Sequence, residues 1–410
     1  MRSLIFLSLL IFCYSANAQY NGTASVTHGL ATAIQNNLYT CVGGRITNIG
    51  SITASDSSVW IVPSAVNFTN TSFPFSSDLH NACAGLNYAN DDAALATLNG
   101  SDIVIIDSTG ELITAYIFAD NYFELYINGV QVGKDKVPYT QFNSSIVRFK
   151  VNRPFTVAML LVDWEENLGL GSENNQGFSY YVGDGGMVAV FKDSNNNIIA
   201  KTDSNWKAQT FYTSPVTDLT CPTEVGNLRL SNLCTTASTN NGSTYYGLHW
   251  NRPSNWMDEG FNDSSFPQAT TFTNTVVGVN NKPAYTNFTN IFDSPENDAE
   301  FIWSTNLLLD NEVLVRYTVP LSTNLEQTAT AKTDFKIFQN LINNCIEINF
   351  DRYENLNDIQ RVSIFNFHGQ TIFKHSGIVE SIPLNNLAKG IYFVEITDKQ
   401  NSIRKKIIIK

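Results

Sequence analysis

Positive charge is scarce in this sequence: 25 Lys and Arg stand against 37 Asp and Glu, charged residues make up 15% of the 410, and the net charge is −12. Without a basic excess the chain cannot neutralise phosphates, which excludes nucleic acid as its partner. Long apolar runs are equally scarce. The longest, Leu4 to Tyr14, falls short of the roughly 20 residues that span a bilayer, so no transmembrane segment is expected. Histidine is limited to His28, His80, His249, His368 and His375. Cys-x-x-Cys, Gly-x-Ser-x-Gly and His-Glu-x-x-His do not occur, which removes the zinc-ribbon, thioredoxin, serine-hydrolase and zincin templates. Gly129-Val130-Gln131-Val132-Gly133-Lys134-Asp135 is one residue short of a phosphate loop and ends in Asp where a hydroxyl must meet magnesium. No catalytic residue is assigned.

The apolar run has a different use. Arg2 supplies a positive start, and Ala16-Asn17-Ala18 is a small-x-small cleavage site, so residues 1–18 read as a signal peptide and the mature chain begins at Gln19. Cleavage leaves a net charge of −13 and five cysteines. In an oxidising compartment neighbours in sequence are paired, Cys41 with Cys83 and Cys221 with Cys234, leaving Cys345 as a small strand residue in an alternating run.

From Tyr39 to Val319 short alternating apolar runs are punctuated by Gly, Asn, Asp and Ser, the pattern of an antiparallel all-β domain. Three hairpins are expected. Ile103–Ile106 turns through Asp107–Gly110 into Leu112–Phe118, Tyr122–Ile127 turns at Asn128-Gly129 into Val130–Val132, and Met187–Phe191 turns through Asp193–Asn197 into Ile198–Ala200. Asn-Gly is the strongest of these signals, because both central residues of a type I′ turn need positive φ. One short helix is expected at Asp91–Leu98, with acidic residues in its first turn. The cysteine-bracketed, turn-rich segment Thr220–Ser243 either divides the cargo into sub-blocks 40–219 and 244–319 or loops out of one sandwich. A linker covers 320–335, and the charge balance then changes sign: residues 19–335 carry a net −16 and residues 336–410 a net +3. Two modules with different tasks follow, a cargo at 19–319 and a tail at 336–410.

Two constellations in the cargo bear on chemistry. Asp163, Glu165, Glu166, Glu173 and Asp184 are carboxylates spaced by loops and glycines, as a calcium site requires. The same spacing suits a glycosidase carboxyl pair. Trp164, Tyr180, Tyr181, Trp206 and Trp256 lie near polar loops, where rings can stack on the C–H faces of sugars. Trp303, in Phe301-Ile302-Trp303, reads as core.

The tail alternates through Val362-Ser363-Ile364-Phe365-Asn366 and Gly369-Gln370, then Leu387-Ala388-Lys389-Gly390-Ile391-Tyr392-Phe393-Val394, and ends in Lys405-Lys406-Ile407-Ile408-Ile409-Lys410. In this order these motifs resemble the type A C-terminal sorting domain of the Bacteroidetes type IX secretion system. An opening aromatic-Pro-Asn-Pro motif is replaced here by Phe338-Gln339-Asn340-Leu341. The resemblance implies a small Ig-like β-sandwich, recognition by the type IX secretion machinery, and release or attachment at the cell surface after passage through the periplasm. In the cargo, Ile117–Gly129 and Trp256–Pro267 resemble the hairpin and the Gly-Phe-Asp-Asp-Ser loop of galactose-binding-like jelly rolls, with the loop after the hairpin, so either the order is permuted or two modules are present. That resemblance implies a jelly-roll-like sandwich in which Asp120, Asn128 and Asp263 form turns. The sequence therefore reads as an exported all-β protein whose cargo binds an extracellular glycan, with calcium. The alternatives are a polysaccharide hydrolase using a carboxylate pair, and an adhesive or structural surface protein.

Overall fold

A computed structural model describes residues 20–321, apart from 42, 44, 140, 237–241 and 296, and residues 334–409, apart from 341–343, 353–355, 367–369, 385–386 and 400–401. The expected signal peptide, residues 1–18, and most of the linker lie outside the described residues. The chain divides into two compact units, 1–322 and 323–410.

The first unit is a sandwich of two large sheets. One runs Ser25–His28, Tyr246–His249, Lys207–Val216, Asp310–Val319, Phe155–Val162, Tyr122–Ile127, Val130–Lys134 in spatial order. The other has nine strands on the path Thr270–Phe272, Phe301–Trp303, Gly186–Lys192, Glu111–Asp120, Asn143–Val151, Ser77–Asn81, Leu86–Asn87, with Ile198–Lys201 and Ile103–Ile105 beside it. Strands from both proposed sub-blocks share both sheets, so 40–219 and 244–319 form one sandwich, with Thr220–Ser243 as an excursion from it.

Side-chain alternation explains the layering. In Tyr122–Ile127, Phe123, Leu125 and Ile127 enter the core shared by the two sheets, alongside Ile113, Val157 and Met159. Tyr122 and Tyr126 point the other way, into a second core on the outer face of the seven-stranded sheet, with Leu160, Phe211, Leu314 and Trp256. That sheet is covered on both faces, which is why Phe155–Val162 is buried at every position.

The Asn128-Gly129 hairpin forms as expected, with φ of 49° and 82° at the two turn residues. A Cβ on Gly129 would also stand 3.1 Å from Asp258 Oδ1. Gly129→Ala is therefore expected to cost about 1 kcal/mol, through the positive φ and that crowding, measured as a drop in the denaturant midpoint at unchanged slope. The hairpin at Gly186–Lys192 and Ile198–Lys201 also forms. Ile103–Ile105 does not pair with Glu111–Asp120: both strands bond to Asn143–Val151, the first in parallel and the second antiparallel. That long strand leaves half of one edge open beyond Ser77–Asn81, and Ile103–Ile105 fills it. The helix is shorter than its pattern, Asp91–Leu95, capped by the Asn90 side chain accepting from Ala93 N at 2.9 Å. Both expected disulfides are present, and Cys345 is a buried free thiol.

The second unit is a smaller sandwich of a three-stranded sheet (Asp334–Asn340, Cys345–Arg352, Ser381–Pro383) and a four-stranded one (Thr371–Ser376, Ile359–Asn366, Gly390–Asp398, Ser402–Ile409). Ile346, Ile348, Val362, Ile364, Val394, Ile396 and Ile407 alternate into its core. The expected turn His368-Gly369-Gln370 lies, except for Gln370, outside the described residues.

Candidate functional site

The two sheets bring carboxylates together at one end of the cargo sandwich. Glu111–Asp120 ends in Asp120, which pairs with Gly186, two residues past Asp184. From the other sheet Phe155–Val162 delivers Asp163, whose N–H donates to Asn311 O at 3.0 Å. Asn121 ties the two together, donating its N–H to Val162 O at 3.1 Å and accepting from Trp164 N at 2.6 Å through its side chain. Glu165 follows, and its Oε1 accepts from Gly183 N at 2.9 Å. A Cβ on Gly183 would meet that same oxygen at 2.2 Å, so the glycine-rich Gly183–Gly186 turn is what lets the backbone close on the acid.

Asp120, Asp163, Glu165 and Glu173 are all buried, and Asp184 is half-buried. Burial pushes Asp120, Asp163 and Glu165 well above the carboxylate range, and the neighbouring acids push them further. Burial likewise lifts Asp184 to about 6, against the pull of Lys282. Glu173 is raised by burial, opposed by the Tyr139 hydroxyl that it accepts and by Arg45 at 3.2 Å. Asp163 Oδ2 is buried without a hydrogen-bond partner, and burial raises the Tyr212 hydroxyl, opposed by Ser214 and reinforced by the charge of Glu165 and Asp163. Buried polar atoms of this kind are rare unless something else satisfies them.

Of the five acids read from sequence, four belong to this centre. Glu166 stands at its rim, half-buried and accepting from Asn174 N at 2.8 Å. Sequence reasoning missed Asp120, which the jelly-roll resemblance had made a turn former. Asn128 does form its turn, and Asp263 pairs with Arg316 at 3.1 Å. Among the described residues no three of His, Cys, Asp and Glu are placed as a ready-made metal-ligand group.

The tryptophans require a correction. Trp164, Trp206 and Trp256 are 0%, 0% and 4% exposed, so they offer no face to a sugar. Each ring packs against neighbours instead: Trp164 edge-on to Tyr122, Trp206 stacked on Tyr317, Trp256 edge-on to Tyr126. The Trp164 and Trp206 N–H groups donate to Asn48 O and Lys201 O. Trp303 is core, as expected. Tyr180 is half-buried, edge-on to Tyr245, whereas Tyr181 is 45% exposed and pairs with Glu173 at the rim of the acidic centre.

A second concavity, of about 540 Å³, lies along the edge strand Ser25–His28. It is lined by Ser25, His28 and Asp56, with Tyr20, Leu219 and Tyr246. Asp56 is fixed by its neighbours: Oδ2 accepts from Ser25 Oγ at 2.6 Å, and Oδ1 from Ser58 N and Oγ at 2.9 and 2.5 Å. Those bonds hold its carboxyl down at about 2.

Among the described residues no helix is long and apolar enough to cross a membrane. No curated protein sequence matches the chain. Among solved structures, a beta-D-glucuronidase from Dictyoglomus thermophilum aligns with 96% of this chain and 44% of its own, at 11% identity and a TM-score of 0.18. The chain thus spans under half the length of that protein. The apo form of a Pleurotus ostreatus lectin aligns with 96% and 86%, at 10% identity and a TM-score of 0.14. At such scores neither likeness bears on the site. The family model described as the secretion system C-terminal sorting domain matches residues 336–410. The tail therefore belongs to the type IX sorting-domain family, which marks this chain for secretion to the cell surface or the extracellular space.

Proposed function

We propose that the cargo is an extracellular binding protein whose acidic centre takes a calcium ion and whose ligand is a glycan. The observation that carries this reading is the convergence of Asp120, Asp163, Glu165 and Asp184 at one end of the sandwich, where the acids feel one another's charge, with Asp163 Oδ2 buried and unpartnered. Carboxylates so placed repel one another, and a divalent cation offsets that repulsion more fully than the shared Lys282 and Arg45. Calcium accepts mixed oxygen donors, so two carboxylates with backbone carbonyls and water suffice. Burial speaks against the hydrolase alternative, because a catalytic carboxyl must touch the glycosidic bond.

The test is thermal unfolding of the full chain with millimolar calcium and with chelator. Calcium is expected to raise the midpoint by several degrees, because a ligand of the native state stabilises it by mass action, and Asp163→Asn with Glu165→Gln is expected to abolish the rise. Equal midpoints in calcium and chelator would remove the cation from the proposal. Sugar release from a polysaccharide that disappears in Glu165→Gln would favour the hydrolase.

A further inference from the structure

The geometry points to the groove along Ser25–His28 as a binding site for a neutral saccharide, held by Asp56 and the rings of His28 and Tyr246. This rests on the glycan reading above and gives it a place that the sequence did not. The groove is large enough for a small ligand, about 540 Å³ against the roughly 300–1,000 Å³ usual for such sites. Its two kinds of surface are the two that a sugar presents. The exposed His28 and half-buried Tyr246 rings lie 4.6 Å apart, tilted by 38°, and Val26 and Leu219 extend the apolar side. Such a surface receives C–H faces.

Opposite in chemistry is Asp56. An exposed loop carboxylate normally samples many rotamers, but this one is held at both oxygens by Ser25 and Ser58, and Ser58 Oγ in turn accepts from Trp60 Nε1 at 2.7 Å. The carboxylate is thus pre-organised, with one acceptor site left over on Oδ2 for a ligand hydroxyl, and little ordering is required when a ligand arrives. Tyr20 is anchored as well, its hydroxyl donating to Glu224. Among the described residues no Lys or Arg lines the groove. A ligand carboxylate or sulfate would meet Asp56 with no cation beside it, so the site selects neutral sugars.

Binding is measured with the full chain, by calorimetry, against neutral gluco-, manno-, galacto- and xylo-oligosaccharides and against oligouronates. A neutral oligosaccharide is expected to bind, and Asp56→Asn, His28→Ala and Tyr246→Ala are each expected to weaken it tenfold or more. His28 is exposed, so its variant should keep the wild-type unfolding midpoint, and Asp56→Asn should lower it by no more than a few degrees through the bonds from Ser25 and Ser58, while Tyr181→Ala should bind normally. Undiminished affinity in both the Asp56 and His28 variants overturns the groove and leaves the glycan reading standing, and loss confined to Tyr181→Ala moves the site to the acidic rim. Preference for oligouronates overturns the neutral-ligand assignment. No binding to any sugar overturns both the groove and the glycan reading.

Discussion

Replacing Arg316 by Met is expected to lower the unfolding free energy of the cargo by roughly 3–5 kcal/mol, among the largest effects of any single substitution outside the sheet cores. Arg316 is 2% exposed. It sits on Asp310–Val319, where Val313 and Val315 enter the core between the sheets, while Leu314 and Arg316 face the outer core. There its guanidinium donates to the carbonyls of Trp256 and Asp258 and pairs with Asp263 at 3.1 Å, under the Phe261 ring. One side chain thus fastens the Trp256–Phe266 loop over the sheet. Methionine fills the volume but leaves buried carbonyls without donors, and each such loss costs about 1–3 kcal/mol. Arg316→Lys, which keeps the charge without the planar fork, should fall between the two. Denaturant unfolding followed by tryptophan fluorescence reads the result, and a loss under about 1 kcal/mol would show that the loop is held by packing alone.

Stability is also expected to rise as pH falls from 8 to about 5, against the usual direction of acid denaturation. Asp135 is buried, and although it accepts from Val137 N and Asn143 Nδ2, burial pushes it up to about 7. Asp310, held by Thr213 and Ser304, is likewise pushed up to about 6. In the unfolded chain an Asp titrates near 3.9. A carboxyl raised by folding contributes stability that is fully present below that unfolded value and lost as pH climbs through the folded one. Each such group changes stability by about 1.4 kcal/mol per pH unit within its window. His249 opposes them: burial depresses it to about 3, so its contribution is present above about 6.5 and lost as pH falls below that. From about pH 7 to 6.5 Asp135 acts alone, from 6.5 to 6 the imidazole matches it, and from about 6 to 4 the two carboxyls outnumber the imidazole. Thermal midpoints across pH 4–8 should therefore pass through a maximum on the acid side, and Asp135→Asn should remove the rise between about pH 7 and 6.5 and reduce it between about 6 and 4. A steady decline from pH 8 to 5.5 would falsify this balance.

Alternation made most strands legible, and so was the Asn128-Gly129 turn, because local backbone chemistry decides both. The disulfides followed from compartment and spacing, and the tail from ordered motifs. Pairing between distant strands was not legible: nothing within Ile103–Ile105 or Glu111–Asp120 records that both would choose Asn143–Val151. The same blindness misplaced the tryptophans. Trp164 stands between Asp163 and Glu165-Glu166, which reads as a surface loop, yet the acids themselves are turned inward and the ring goes with them. Arg316 shows the converse, an alternating polar position that reads as solvent-facing on a sheet whose outer face is roofed by a loop far away in sequence. Four members of the acidic centre could be found because they cluster along the chain between 163 and 184. Asp120 arrives from another strand, and only the fold brings it there.

The place of Asp310–Val319 in the seven-stranded sheet sets an order of events. It lies between Lys207–Val216 and Phe155–Val162, yet it is the final strand of the cargo in sequence. A cargo threaded or synthesised from its N-terminus holds two half-sheets with no shared ladder until residue 319 is free. Closure is then a late, long-range event of the kind that makes β-rich folding slow, and it falls to the segment immediately preceding the linker. The cargo becomes a completed sandwich only when nearly all of its own sequence is available, so any fragment lacking the last ten cargo residues is expected to remain an open, edge-exposing intermediate.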